Sequence, residues 1–219
     1  MAFEHAVFDL DGTLLDSLGD IAASANHTLS VMALPTHPVS SYNRFAGQGL
    51  PNLFRAALPP PPEGENRIEE AIGLFKPYYA EHQRDTTAPF EGIDAVLSAL
   101  VESGVGVSVL SNKPDAATVA MVEHYFPSVP WAAVWGHREG YAPKPDPASC
   151  LALLDEIGAT PATTAFVGDT MADMGTAVAT GCYAVGVSWG FRAVQELEDS
   201  GAAVILHETR ELTGVLLGG

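Results

Sequence analysis

Asp9 and Asp11 stand two residues apart where the apolar segment Ala6-Val7-Phe8 ends, and Gly12-Thr13 follow directly. Side chains alternate along a strand, but a glycine turn breaks that alternation, so both carboxylates can reach the space beyond the strand's carboxyl end. Two acids held so close repel each other. A bound cation or a retained proton relieves the repulsion, and either would serve a site that attacks an electrophile and moves a proton. The other use of an Asp-Gly pair is structural, as an Asx turn or helix cap.

Three further segments carry groups of the same kind. Ser111-Asn112-Lys113-Pro114 follows an apolar run and precedes a helical stretch, so its hydroxyl, amide and backbone N–H groups suit either an anion or an ordinary N-cap. Lys144, clamped between Pro143 and Pro145, offers a fixed ammonium to a phosphate or a carboxylate. The lysines are Lys76, Lys113 and Lys144, so the placement of two of them in Pro-containing loops is informative. In Gly168-Asp169-Thr170-Met171-Ala172-Asp173, a four-residue spacing puts both carboxylates on one side of a helix start. There they could share a hard cation or complement the helix dipole.

The elements that position these groups read as an α/β core. Short apolar runs at 106–110, 132–134, 164–167, 183–187 and 203–206 alternate with helix-length segments at 93–103, 115–125, 147–157 and 171–180. That is the pattern of a doubly wound parallel sheet covered on both faces, in which strand ends converge on one ligand site. Gly104, Gly106, Gly158 and Gly181 sit where helices would stop. Residues 16–86 break the alternation. Ile21, Ala25, Leu29 and Met32 fall at helical spacing, a second stretch covers 39–58 with Gly47-Gln48-Gly49 interrupting it, and a third runs from 63 to 85 after Pro59-Pro60-Pro61-Pro62, a stiff spacer. The expected organisation is a core of residues 1–15 and 87–219 with a small α-helical cap at 16–86, hinged beside the acids. Arg44, Gln48 and Arg55 could donate from the cap to an anionic substrate tail, or simply be solvated helix residues.

Composition limits the partners. Twenty-seven acidic residues against ten Lys and Arg give a net charge of −17, which disfavours nucleic acid and anionic membranes. No apolar run approaches the roughly 20 residues of a membrane span, and no export signal is visible. Cys150 and Cys182 read as buried small side chains in a reducing compartment, so a cytoplasmic location is expected. The seven histidines show no metal-ligand spacing, and Trp131, Trp135 and Trp189 read as packing residues near sheet ends.

In chain order, Asp9-Leu10-Asp11-Gly12-Thr13, Ser111-Asn112, Lys144 and Gly168-Asp169-Thr170-Met171-Ala172-Asp173 resemble the four motifs of the haloacid dehalogenase superfamily. The match spans nearly the whole chain. The helical insert, with Phe45-Ala46-Gly47-Gln48-Gly49-Leu50, is similar to the cap of the phosphoglycolate phosphatase-like branch. The resemblance implies a Rossmann-like core and a Mg²⁺-dependent phosphomonoester hydrolase working through an aspartyl-phosphate. It implies Asp9 as nucleophile and Asp11 as acid and base. Mg²⁺ would be held by Asp9, the Asp11 backbone carbonyl and Asp169, with Asp173 adjoining, while Ser111, Asn112, Lys144, Gly12 and Thr13 meet phosphoryl oxygens. The implied substrate is a small phosphorylated metabolite such as 2-phosphoglycolate, and the implied state a monomer or homodimer. A metal-free dehalogenase is opposed by Asp11 and Asp173. A sugar-phosphate mutase, or a catalytically silent binding protein on the same scaffold, remains the alternative.

Overall fold

Ala6 and Phe8 pack into one apolar cluster while Val7, between them, packs into another, so the first strand is buried on both faces. Phe166 faces oppositely to Ala165 and Val167 in the same way. This is the arrangement of a central sheet with helices on either side. The structure is a computed structural model that describes residues 3–60 and 65–218. Its strands are β1 (His5–Phe8), β2 (Leu15–Asp16), β3 (Ala88–Pro89), β4 (Gly106–Pro114), β5 (Ala133–His137), β6 (Thr164–Gly168), β7 (Tyr183–Val187) and β8 (Val204–Leu206). Six of them form a parallel sheet in the order β5-β4-β1-β6-β7-β8.

The helices are α1 (Leu18–Val31), α2 (Tyr42–Phe45), α3 (Leu50–Ala57), α4 (Ile68–His82), α5 (Ile93–Glu102), α6 (Asp115–Tyr125), α7 (Ala148–Ile157), α8 (Met171–Thr180), α9 (Val194–Asp199) and α10 (Glu211–Leu217). Residues of α5, α6 and α10 share the Ala6–Phe8 cluster, and those of α7, α8 and α9 share the Val7 cluster, where Cys150 and Cys182 are buried as free thiols. The doubly wound α/β fold follows. β1 lies between β4 and β6, and in such sheets the crevice at the reversal of strand order receives the ligand. Register pairs Phe8 with both Val109 and Val167, so the residues after these strands emerge side by side.

Helices α1 to α4 build a separate apolar cluster, with Leu29, Tyr42, Phe54 and Phe75 at its centre, and Phe191 of the core joins it. The chain leaves and re-enters the core through β2 and β3, which pair antiparallel, Leu15 with Pro89 and Asp16 with Ala88. Beside them the buried Asp20 carboxylate accepts hydrogen bonds from the backbone N–H and hydroxyl of both Thr86 and Thr87.

Several boundaries differ from expectation, β4 and β5 running on to Pro114 and His137 among them. The stretch 39–58 is not one helix but a 3-10 turn, α2 and α3, broken at Gly47 and Gly49, both with positive φ. The third cap helix is shorter than 63–85, and Pro61, Pro62 and the segment's start lie outside the described residues. Gly106 caps no helix. It opens β4, where an added Cβ would come 2.3 Å from His5 Nδ1; Gly158 and Gly181 do end helices, in the left-handed conformation. No helix among the described residues is long and apolar enough to cross a membrane.

Candidate active site

Asp9 follows β1 with its backbone N–H donated to Val167 O at 2.9 Å, which fixes it against β6, and Asp169 leaves the end of β6. Two glycines let Asp169 approach. A Cβ on Gly12, whose φ is +87°, would come 2.3 Å from Asp169 Oδ2, and one on Gly190 would come 2.3 Å from Asp169 Cβ. Asp169 accepts from Thr13 Oγ1 at 3.0 Å and from the Phe191 N–H at 2.7 Å. Asp173 closes a capping box at the start of α8, its Oδ2 accepting from the N–H and hydroxyl of Thr170.

Asp9, Asp169 and Asp173 are buried, and ligand oxygens from all three lie within 4.8 Å of one another. Lys144 stands among them, its Nζ 2.6 Å from Asp173 Oδ1, 3.0 Å from Asp9 Oδ1 and 2.8 Å from Leu110 O. The approach to Asp9 has ion-pair distance without hydrogen-bond alignment, so Asp9 Oδ1 has no hydrogen-bond partner. Burial, with Asp173 alongside, pushes the Asp9 carboxyl up to about 6 despite the ammonium. Burial and the same neighbouring carboxylates hold Asp169 well above the usual range. For Lys144, burial pulls the other way, but Asp173 and Asp9 outweigh it and keep the ammonium charged. Three acids and one cation, buried together, leave negative charge uncompensated. A hard divalent cation taking oxygen ligands fits that deficit, with Asp9 and Asp169 to hold it and Asp173 beside them.

Asp11 looks the other way. Its carboxylate is 3.0 Å from Lys113 Nζ and accepts from Ser17 Oγ at 2.7 Å, and Lys113 in turn donates to Tyr79 of α4. Lys113 reaches this place because β4 continues to Pro114 through a register irregularity between Leu110 and Pro114. Of the two uses open to 111–114, this removes the helix cap: the segment is extended, and Pro114 precedes α6 without a side-chain cap. Ser111 lies at the site, nearly buried. Asn112 is engaged, its Oδ1 accepting from the Lys144 N–H at 2.8 Å and its Nδ2 donating to Lys144 O at 3.1 Å and to Gly47 O at 3.3 Å. Thr13 is likewise committed to Asp169, and Gly12 serves by its conformation.

Asp9, Asp11, Ser111, Asn112 and Lys113 open onto a cavity of about 420 Å³ beneath the cap. The three cap candidates do not line it. Arg44 is exposed and contributes its carbonyl to Arg192; Gln48 meets Met171; Arg55 meets Asn52 on an exposed face of α3. The α3 face that does reach the cavity carries Leu50 and Leu53. Sequence reasoning assigned no role to Lys113, Tyr79, Phe191 or Gln83. For Lys113 the available signal was its rarity, and for Phe191 its position just past a strand's carboxyl end.

A family model described as haloacid dehalogenase-like hydrolase matches residues 6–187. Phosphoglycolate phosphatase of Pseudomonas putida is 28% identical over 210 residues, 94% of this chain and 77% of the relative. That of Haemophilus influenzae is 28% identical over 220 residues, 98% of both chains. A crystal structure from Lactobacillus delbrueckii subsp. bulgaricus, whose protein is named a phosphoglycolate phosphatase by inference, superposes with a TM-score of 0.93 at 28% identity over the whole of both chains. One from Clostridium acetobutylicum, named a phosphatase on similar grounds, gives 0.87 at 25%, again over both entire chains.

Proposed function

This chain belongs to the haloacid dehalogenase-like hydrolase family and is a phosphatase, and from that premise we propose a Mg²⁺-dependent phosphomonoesterase working through an aspartyl-phosphate on Asp9. The observation that carries this reading is the buried trio Asp9, Asp169 and Asp173 around a single ammonium, with Asp9 Oδ1 left without a hydrogen bond. A Mg²⁺ held by Asp9 and Asp169, with the Asp11 carbonyl as a further oxygen donor, would neutralise phosphoryl charge. The chain's own groups supply the rest.

The Asp9 carboxylate attacks phosphorus, forming its new O–P bond as the bond to the leaving oxygen breaks. Asp11, which must take up a proton as the ester binds, gives it to that oxygen and then takes one from the attacking water, which restores Asp9 and frees phosphate. Lys144 holds positive charge beside the developing oxyanion, and the Ser111 hydroxyl donates to a phosphoryl oxygen. Asn112 positions Lys144 by binding its backbone from both sides.

The expected substrate is a small phosphorylated metabolite, met in the cytoplasm by a monomer or homodimer with no nucleic-acid or membrane partner. 2-Phosphoglycolate heads the panel to assay, since the relatives are named phosphoglycolate phosphatases. Phosphate release from phosphomonoesters with Mg²⁺, abolished by a chelator, supports the reading. Interconversion of sugar phosphates without net release would instead make the chain a mutase, and inertness toward all of them a binding protein.

A further inference from the structure

The cavity extends well past the reacting groups. At about 420 Å³ it falls within the roughly 300–1,000 Å³ that encloses drug-sized ligands. Its cap wall is apolar, with Ile21 of α1, Leu50 and Leu53 of α3 and Phe75 of α4, and Phe191 of the core adds to it. The opposite wall is made of small side chains, Ala116, Ala117 and Ala120 of α6. A second anionic group on a substrate would find few cations here. Among the described lining residues Lys113 is already shared by Asp11 and Tyr79, and Lys76 is exposed to solvent.

Apart from Asp9 Oδ1 at the reacting end, a second buried polar atom in this lining is unsatisfied. Gln83 is 7% exposed and donates its Nε2 to Ala80 O at 3.3 Å, which sets the orientation of the amide and leaves Oε1 with no partner. A buried carbonyl without a hydrogen bond costs free energy, and a ligand donor would recover it. Phe75 and Tyr79 of α4 and Gln83, the residue at its C-terminal cap, follow at four-residue spacing along one face. Tyr79 marks the end near Lys113 and Asp11, so Gln83 lies about one turn, ~5.4 Å, farther along.

Resting on the phosphatase reading, we propose that this cavity binds the leaving group of a phosphomonoester with an apolar skeleton of several carbons, bearing one hydrogen-bond donor for Gln83 Oε1. The donor is a hydroxyl or an amine. The substrate class is then an alkyl- or aryl-type phosphate rather than a short carboxylated one.

Phosphate release by the full chain with Mg²⁺ tests this on ethyl, butyl, hexyl, 6-hydroxyhexyl and 2-phosphoglycolate esters. The simple alkyl esters share leaving-group chemistry, so a trend among them reports binding. Each methylene buried should raise kcat/KM by up to about fourfold, giving at least ~10-fold from ethyl to hexyl phosphate. The terminal hydroxyl should add roughly another 10-fold, and Gln83→Leu should reverse the order of the hydroxyhexyl and hexyl esters. Ala117→Phe, which fills the opposite wall, should flatten the length dependence and gives an independent test if the glutamine variant fails to fold. A flat or falling trend with length, or a preference for 2-phosphoglycolate over hexyl phosphate, overturns the proposal while leaving the phosphatase reading intact. No phosphate from any ester overturns both.

Discussion

The Lys113 ammonium, from the core sheet, lies 2.5 Å from the hydroxyl of Tyr79, from the cap, and the same ammonium pairs with Asp11. The contact joins the two parts of the molecule at the residue assigned to proton transfer. Burial pushes the Tyr79 phenol up to about 12, so the neutral hydroxyl accepts from Lys113. Burial would lower Lys113, but Asp11 and Tyr79 raise it instead.

Removing the phenol oxygen and removing the ammonium should therefore have unequal effects. Tyr79→Phe leaves the Lys113–Asp11 pair and should cost about 1–2 kcal/mol. Lys113→Met leaves Asp11 without its cation and should cost about 3–5 kcal/mol, with a larger fall in kcat. Denaturant melts of both variants and of the double variant check this; because the residues share one network, the double should be less destabilised than the sum. Equal and additive losses would contradict the linkage.

Asp20 ties the two cap connections together. Although burial opposes its ionisation, hydrogen bonds from Thr86 and Thr87 lower the Asp20 pKa overall. A carboxyl lowered in the folded state contributes stability that is present above the unfolded value near 3.8 and is lost as pH falls through the folded value. Asp20→Ala should cost about 2–4 kcal/mol at pH 7, and the difference from the parent protein should shrink as the pH drops below about 4. Chemical denaturation across that range is the check, and a gap that stays constant would sink the assignment.

Mg²⁺ should stabilise the protein more at high pH than at low. Asp9, raised to about 6, keeps its proton in the fold where the unfolded chain has lost it, and Asp169 behaves alike. Without metal, Asp9 withdraws stability as pH rises from about 3.8 through about 6, and Asp169 acts in the same direction, because the fold must then bury unpaired carboxylates. The ion removes that penalty, so the rise in Tm on adding Mg²⁺ should be several degrees at pH 8 and small at pH 5. A rise independent of pH would place the ion elsewhere.

Much of the core was legible because β1, β6 and the first half of β4 are short apolar runs whose next residues are polar and unusual. Asp9, Asp169 and Lys144 could be grouped once a parallel sheet was inferred, since such sheets bring strand ends together. Lys113 was flagged by scarcity and by its place beside Pro114. Its role depends on the irregularity in β4, which alternation does not reveal. The cap resisted more. Phe75, Tyr79 and Gln83 have the helical spacing of any buried face, and sequence does not say which part of that face meets the cap core and which the cavity. Arg44 and Arg55 attracted attention as cations, whereas the cavity is lined by the apolar neighbours Leu50 and Leu53.

The most direct measurement of the central claim is peptide mass mapping of the acid-quenched Asp11→Asn variant during turnover of an aryl phosphate with Mg²⁺. An aryl leaving group needs little protonation, whereas breakdown of the intermediate loses its base, so the phosphorylated enzyme should accumulate. The account predicts one phosphoryl group on the peptide containing Asp9, absent when Asp9→Asn is added. Phosphate released at an undiminished rate with no label on that peptide, or label on another residue, would contradict it.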